Sequence, residues 1–178
     1  MLKIHVGCGK RYWPGWYNVD GGDFPHVKDN DITLTKFLKK DVDLIYACHF
    51  LEYFDRDDAA TLLKLWHMAL KPGGILRLAV PDFDNMALAI QHYDFDLKDI
   101  LGPLYGKIQM GEKTIYHKTV YNYSHLKSLL SQAGFFKVHR YDWRETDHAQ
   151  FDDCSQAYLP KMDKANGICI SLNVEAIK

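Results

Sequence analysis

Residues 2–20 read LKIHVGCGKRYWPGWYNVD, and the fold turns on them. Leu2, Ile4 and Val6 alternate with polar residues and run directly into Gly7-Cys8-Gly9, the pattern of a strand ending in a tight turn. Tyr17 to Asp20 is a second extended piece, closed by Asp20-Gly21-Gly22. Between the two, Lys10 to Trp16 contains Pro14-Gly15 and is too short and too broken for a full helix. Gly7 and Gly9 let the backbone pass close to a ligand, because no Cβ stands in the way. A carboxylate at Asp20, on the neighbouring strand end, can accept hydrogen bonds from both hydroxyls of a ribose. Taken singly, a G-x-G is a common turn, and Asp before Gly-Gly suits a turn as well. Together, at successive strand ends, they point to a nucleoside crevice.

Working outward, Leu34 to Lys40 reads as a short helix and Asp41 to Cys48 as a buried strand. Asp55 can cap the next helix, with Asp58 in its first turn. Ala59, Leu62, Leu63, Trp66, Ala69 and Leu70 recur at helical spacing, and Lys71-Pro72-Gly73-Gly74 stops the run. Ile75 to Val80 is a strand ending at Pro81-Asp82, and Phe83 to Tyr93 a helix. Ser124 is placed to cap a helix through Ala133 that Gly134 ends. Phe135 to Trp143 reads as a strand, Arg144 to Ala165 as loop, and Gly167 to Ile177 as a closing strand. This alternation predicts an α/β fold: a Rossmann-like, doubly wound, mostly parallel sheet with helices on both faces. No helix separates the last two strands, so the last one is expected to run antiparallel.

Composition narrows the function classes. A chain of 178 residues, 47% hydrophobic and 25% charged, fits one domain spanning residues 1–178. A formal net charge of -1 leaves no cationic excess for a long nucleic acid. No stretch is long and apolar enough to span a membrane, and no leader segment is visible. Cys8, Cys48, Cys154 and Cys169 form no C-x-x-C pair, so no metal site is expected. They read as reduced thiols, which suits a cytoplasmic protein. Oligomeric state stays open.

In an open parallel sheet, ligands bind beyond the carboxyl ends of the strands. Gly7-Cys8-Gly9, Asp20, Asp31, Cys48-His49, Glu52 and Asp82 all fall at such ends. A dinucleotide site would need a third glycine and a helix to meet the pyrophosphate. Here Lys10-Arg11-Tyr12 follows instead, which favours a nucleoside without phosphates.

Several stretches carry a family resemblance: His5 to Lys10, Pro14 to Asp20, Ile45 to Tyr53, Leu70 to Arg77 and Val80 to Phe83. His117-Lys118-Thr119, Leu129 to Phe135 and Ser171 to Ala176 continue it, so it covers nearly the whole chain. They resemble small class I S-adenosylmethionine-dependent methyltransferases, of the compact kind associated with surface-polysaccharide and glycan biosynthesis. The resemblance implies S-adenosylmethionine as cofactor. Gly7, Cys8 and Gly9 would lie against its methionine part, Asp20 on the ribose hydroxyls and Asp31 near the adenine. Cys48 and His49 would line it at the end of the strand that carries them. Two features depart from the pattern: the helix after the glycine turn is missing, and His5 stands where an acidic residue is usual.

Methyl transfer needs an acceptor lone pair held in line with the methyl, and a hydroxyl acceptor gains from a base. Asp82, His117 and His49 are the candidate bases, with Asp82 and His117 preferred. Asp82 could instead cap the following helix, His117 could be a packing histidine, His49 fits a cofactor wall, and Glu52 reads equally as structural or functional. Residues 94–123, rich in tyrosine, read as the acceptor-recognition insertion, with a sugar or glycan as the first-ranked small acceptor. The alternatives are an S-adenosylmethionine-binding module or partner subunit without catalysis, and a nicotinamide-dependent enzyme.

Overall fold

The computed structural model describes residues 1–38 and 42–178. The expected opening is present: β1 (Lys3–Val6) and β2 (Tyr17–Val19) pair in parallel with no helix between them. Of the span Leu34 to Lys40, the described residues 34–38 contribute a 3-10 turn at Thr35–Phe37, and Lys39, Lys40 and Asp41 lie outside the described residues. β3 (Val42–Cys48) pairs with the other side of β1. Asp55 caps α1 (Arg56–Ala69) as expected, accepting from the amides of Asp57 and Asp58.

Lys71-Pro72-Gly73-Gly74 stops the helix, but as part of a strand, because β4 (Leu70–Pro81) begins at once. A register shift against β3 and a left-handed Gly73 absorb the change of direction. Then come α2 (Phe83–His92), α3 (Leu97–Tyr105), a hairpin of β5 (Ile108–Met110) and β6 (Lys113–Ile115), and α4 (Tyr123–Gln132). Asn122, not Ser124, caps α4, since its side chain accepts from the His125 amide. β7 (Phe136–Arg140), a hairpin of β8 (Tyr158–Leu159) and β9 (Ile168–Cys169), and β10 (Ser171–Ile177) finish the chain. The expected closing strand from Gly167 is therefore broken, its first part pairing with β8 instead.

The main sheet has the order β2-β1-β3-β4-β10-β7. β10 runs antiparallel to both neighbours, so the reversed last strand is as expected. One face is apolar. Ile4, Val6, Ile45, Leu76, Leu78 and Val174 pack there against Leu63 and Trp66 of α1 and Leu126 and Leu130 of α4.

The other face differs from the expected helical cover. Register sets Asn18, His5, Tyr46, Arg77, Glu175 and His139 side by side across all six strands. Trp13, from the short β1–β2 connection, lies over this row. Its ring centroid is 4.1 Å from His5, 5.0 Å from Tyr46, 5.3 Å from His148 and 4.9 Å from Phe151. Arg77 donates to Glu175 at 2.6 Å and to Asp147 at 2.9 Å, so the buried charge is paired. Burial holds His5 down to about 3 and His148 down to about 4, so both rings are neutral and stack as aromatics. Stacked rings thus replace the missing helix. A third cluster, with Met86, Ala89, Ile100 and Ile170, seats α2 and α3 beside the main core. Among the described residues no helix is long and apolar enough to cross a membrane.

Candidate functional site

The glycine turn and Asp20 are locked together. Gly7 and Gly9 both have positive φ, at 69° and 54°, a region that favours glycine. A Cβ at Gly7 would run into the Phe50 ring, whereas one at Gly9 would meet nothing within 4 Å. Asp20 accepts from the Gly9 amide at 2.7 Å through one oxygen and from the Gly22 amide at 2.7 Å through the other. Each oxygen keeps a lone pair. An oriented carboxylate beside an open backbone strip fits a ribose diol with the rest of the ligand passing over Gly9.

The remaining residues read from the sequence at this end are engaged otherwise. Cys8 is buried, and desolvation together with the Asp20 charge pushes its thiol up to about 12. Its contribution is a small wall. Both carboxylate oxygens of Asp31 are taken by the amides and hydroxyls of Thr33 and Thr35, so it braces the 3-10 turn. Cys48 packs with the Trp13–Tyr46 cluster, on the aromatic face of the sheet. The His5 ring likewise points to that face, stacked on Trp13.

The tips of β3 and β4 hold a different arrangement. His49 takes a left-handed backbone, with φ at 47°, rare for a residue with a side chain and concentrated at functional sites. Its Nδ1 lies 3.7 Å from Oε1 of Glu52, and its Nε2 is 3.4 Å from Oγ of Ser171. His117 approaches the same Glu52 oxygen from the opposite side, Nε2 at 3.8 Å, while its Nδ1 sits 3.2 Å from the Leu104 carbonyl. Glu52 is fully buried, and neither carboxylate oxygen has a hydrogen-bond partner among the described residues. Burial pushes it up to about 8 against a small pull from its own backbone N–H. Burial also holds His49 down to about 3 and lowers His117.

Asp82 sits at the N-cap position of α2 yet makes no side-chain cap bond. One oxygen accepts from Arg140 at 3.1 Å, and the other, fully buried, is unpartnered among the described residues. The Tyr121 hydroxyl is buried and unpartnered too, and Tyr121 bridges to Asp82 through the backbone. So His49, Glu52, Asp82, His117 and Tyr121 converge at the carboxyl ends of β3 and β4, where native proteins rarely leave polar atoms unsatisfied. Two clefts flank them. One, of about 460 Å³, is lined by His117, Tyr105, Arg56 and Lys118. The other, of about 190 Å³, is lined by Ser171, Asn173, Arg140 and Trp143. The contacts His117–Glu52–His49–Ser171 run from one cleft to the other. Sequence reasoning left Glu52 undecided. The signal in the sequence was its position three residues after His49, just past a strand end.

The methyltransferase domain family matches residues 15–78, the segment from the β1–β2 connection into β4. The sheet order with its reversed β10 is that of the class I fold. The chain thus carries a methyltransferase-domain match over residues 15–78 on a class I methyltransferase fold. The chain is similar in structure to a SAM-dependent methyltransferase from Archaeoglobus fulgidus, with TM-score 0.58 and 17% identity, over 99% of this chain and 86% of that one. It is also similar to one from Mesorhizobium loti, with TM-score 0.55 and 15% identity, over 99% and 90% of the two chains. Human N-acetylserotonin methyltransferase in complex with SAM aligns at TM-score 0.55 and 15% identity, over 99% of this chain and 47% of that one. No curated protein sequence matches.

Proposed function

We propose that this chain is an S-adenosylmethionine-dependent methyltransferase that transfers the methyl to an oxygen or nitrogen of a small acceptor, a sugar or glycan first, in a cytoplasmic setting. The observation that carries the reading is the pairing of two neighbouring sites. A carboxylate is fixed for a diol at the tips of β1 and β2, and unsatisfied carboxylates are buried at the tips of β3 and β4. When bound, the cofactor supplies a methyl group activated by a sulfonium.

The chain's own residues do the rest. Gly7, Cys8 and Gly9 give a strip of backbone for the methionine part, Asp20 takes the ribose hydroxyls, and the turn braced by Asp31 walls the adenine end. Cys48 and His49 close the crevice from β3. Asp82 and His117 are the groups placed to handle an acceptor proton, since positioning and a base together supply most of the acceleration available to such a transfer. Residues 94–123 form α3 and the β5–β6 hairpin, and the cleft beside Tyr105 and His117 gives them a surface for an acceptor ring. Four free cysteines accord with the cytoplasmic setting.

Calorimetry with S-adenosylhomocysteine and with NAD tests the cofactor half: the first binds and the second does not. Methyl uptake from labelled S-adenosylmethionine onto a panel of nucleotide-sugars and free glycans tests the acceptor half. Binding of NAD in place of S-adenosylhomocysteine would overturn the reading.

A further inference from the structure

Glu52 is the one carboxyl group in the described residues with both oxygens buried and without a hydrogen-bond partner. Leaving a buried polar group in that state costs roughly 1–3 kcal/mol, more when charged. Folding alone gives no reason to keep a carboxyl group there. Its backbone, by contrast, is tied down: the Glu52 carbonyl accepts from the Lys118 amide at 2.8 Å and from the Thr119 amide at 3.3 Å. That anchorage fixes the segment carrying His117 directly over the carboxyl.

The two histidines meet Glu52 in complementary ways. His117 has its Nδ1 against the Leu104 carbonyl, which can only accept, so that nitrogen carries the ring proton. In the neutral ring, Nε2 is therefore the unprotonated nitrogen, and it faces Glu52. A Cβ at Gly106 would run into the His117 ring, so Gly106 allows this placement. His49 presents Nδ1 to the same oxygen. Both of its ring nitrogens face protein groups, and the lone pairs of Glu52 and of His117 Nε2 face each other with no hydrogen bond between them, so a single added proton can be shared there.

Resting on the methyltransferase reading, we propose that Glu52 receives the acceptor's proton during methyl transfer, with His49 and His117 as its positioning residues. The O–H bond of the acceptor breaks, its proton moves to a carboxylate oxygen of Glu52, and the electron pair stays on the acceptor oxygen to bond the methyl, while the methyl–sulfur bond of the donor substrate breaks and its electron pair returns to the sulfur, leaving a neutral thioether. The proton then passes to the Nε2 of His117 and leaves through the cleft that His117 lines. The role assigned to His117 shifts from base to partner of the base.

The titratable groups facing Glu52 are His49 from the end of β3, Tyr53 beside it, His117 and Tyr121 from the segment before α4, and Cys154 from the loop before β8. Arg11 acts on His49 from the β1–β2 connection. None is a cation next to the carboxyl, so nothing offsets the burial that raises its pKa.

The test is an NMR titration of the full chain, labelled with 13C at glutamate carboxyls and 15N in histidine rings, with and without S-adenosylhomocysteine. One glutamate is expected to titrate near pH 8 and to disappear in Glu52→Gln. Ring signals of His49 and His117 should step at the same midpoint in the parent and lose that step in the variant. With an acceptor from the panel, Glu52→Gln should lower kcat by about 10²–10⁴-fold and flatten its rise with pH. Its S-adenosylhomocysteine affinity should stay unchanged. His117→Asn, which keeps the carboxyl, should move the Glu52 midpoint and keep a measurable pH dependence. A Glu52 titration in the ordinary carboxylate range, or histidine signals indifferent to Glu52→Gln, overturns the proposal. Failure of S-adenosylhomocysteine to bind the parent would instead strike the methyltransferase reading and leave the titration result standing.

Discussion

At the tips of β1 and β2, Asp20 and Asp31 have all their carboxylate oxygens held by nearby backbone amides. At the tips of β3 and β4, both oxygens of Glu52 and one of Asp82 are buried with no hydrogen bond among the described residues. The two regions are neighbours on one sheet edge, yet they treat acidic side chains in opposite ways. A carboxylate bound by local amides holds its loop in shape. Glu52, stripped of water and of hydrogen-bond partners among the described residues, is destabilised as an anion. On the proposed reading, the first region holds a ligand and the second changes protonation.

The largest effect is expected at Asp20. Asp20→Ala removes two charge-assisted acceptors and should weaken S-adenosylhomocysteine binding by about 100-fold, roughly 2.7 kcal/mol, measured by calorimetry. An unchanged affinity would break the comparison on its ligand-holding side.

Glu52→Gln sharpens the other side. A carboxyl group raised from 4.5 to about 8 by folding makes the folded chain bind more protons than the unfolded one between those values. Its contribution to stability is therefore complete at low pH and is lost as pH rises from about 4.5 to about 8. The variant lacks this loss. Its Tm should match the parent near pH 5 and exceed it by on the order of 5 °C at pH 8.5. The depressed His49 acts in the opposite sense between about 3 and 6.5, but it is common to both proteins and largely cancels in the difference.

Asp31→Ala should lower stability by about 1 kcal/mol in urea unfolding, the usual worth of such a cap. S-adenosylhomocysteine affinity should fall less than tenfold, because Asp31 acts through its turn. A larger fall would place its carboxylate in the site itself. Last, Asn122→Ala should lower stability by about 1 kcal/mol, whereas Ser124→Ala should change it by a few tenths at most. Reversal of that order would undo the assigned start of α4, which follows directly on Tyr121.

Local patterns carried much of this in the sequence. The alternation of Leu2, Ile4 and Val6 into Gly7, the cap at Asp55 and the helical spacing through Trp66 each report a neighbour-to-neighbour constraint, and each appears where expected. The absent helix after Gly9 was legible from Pro14-Gly15 and the short span. What covers the sheet in its place was not. Trp13 lies on His5, Tyr46, His148 and Phe151, residues far apart in the chain, and no periodicity links them. Ser124 and Asn122 are both good caps by type, and only the backbone path into α4 chooses between them.

The sequence by itself determined where strands end and which small or acidic residues stand at those ends, because strand alternation, turns and caps act over a few residues. Only the tertiary structure decided what each acid does. Asp20 meets the amides of Gly9 and Gly22 across the glycine turn, and Glu52 is sealed from water by a segment that returns from beyond α3. Desolvation depends on everything packed around a group, so the same carboxyl chemistry is tied to amides at one strand tip and left buried without a hydrogen-bond partner at another.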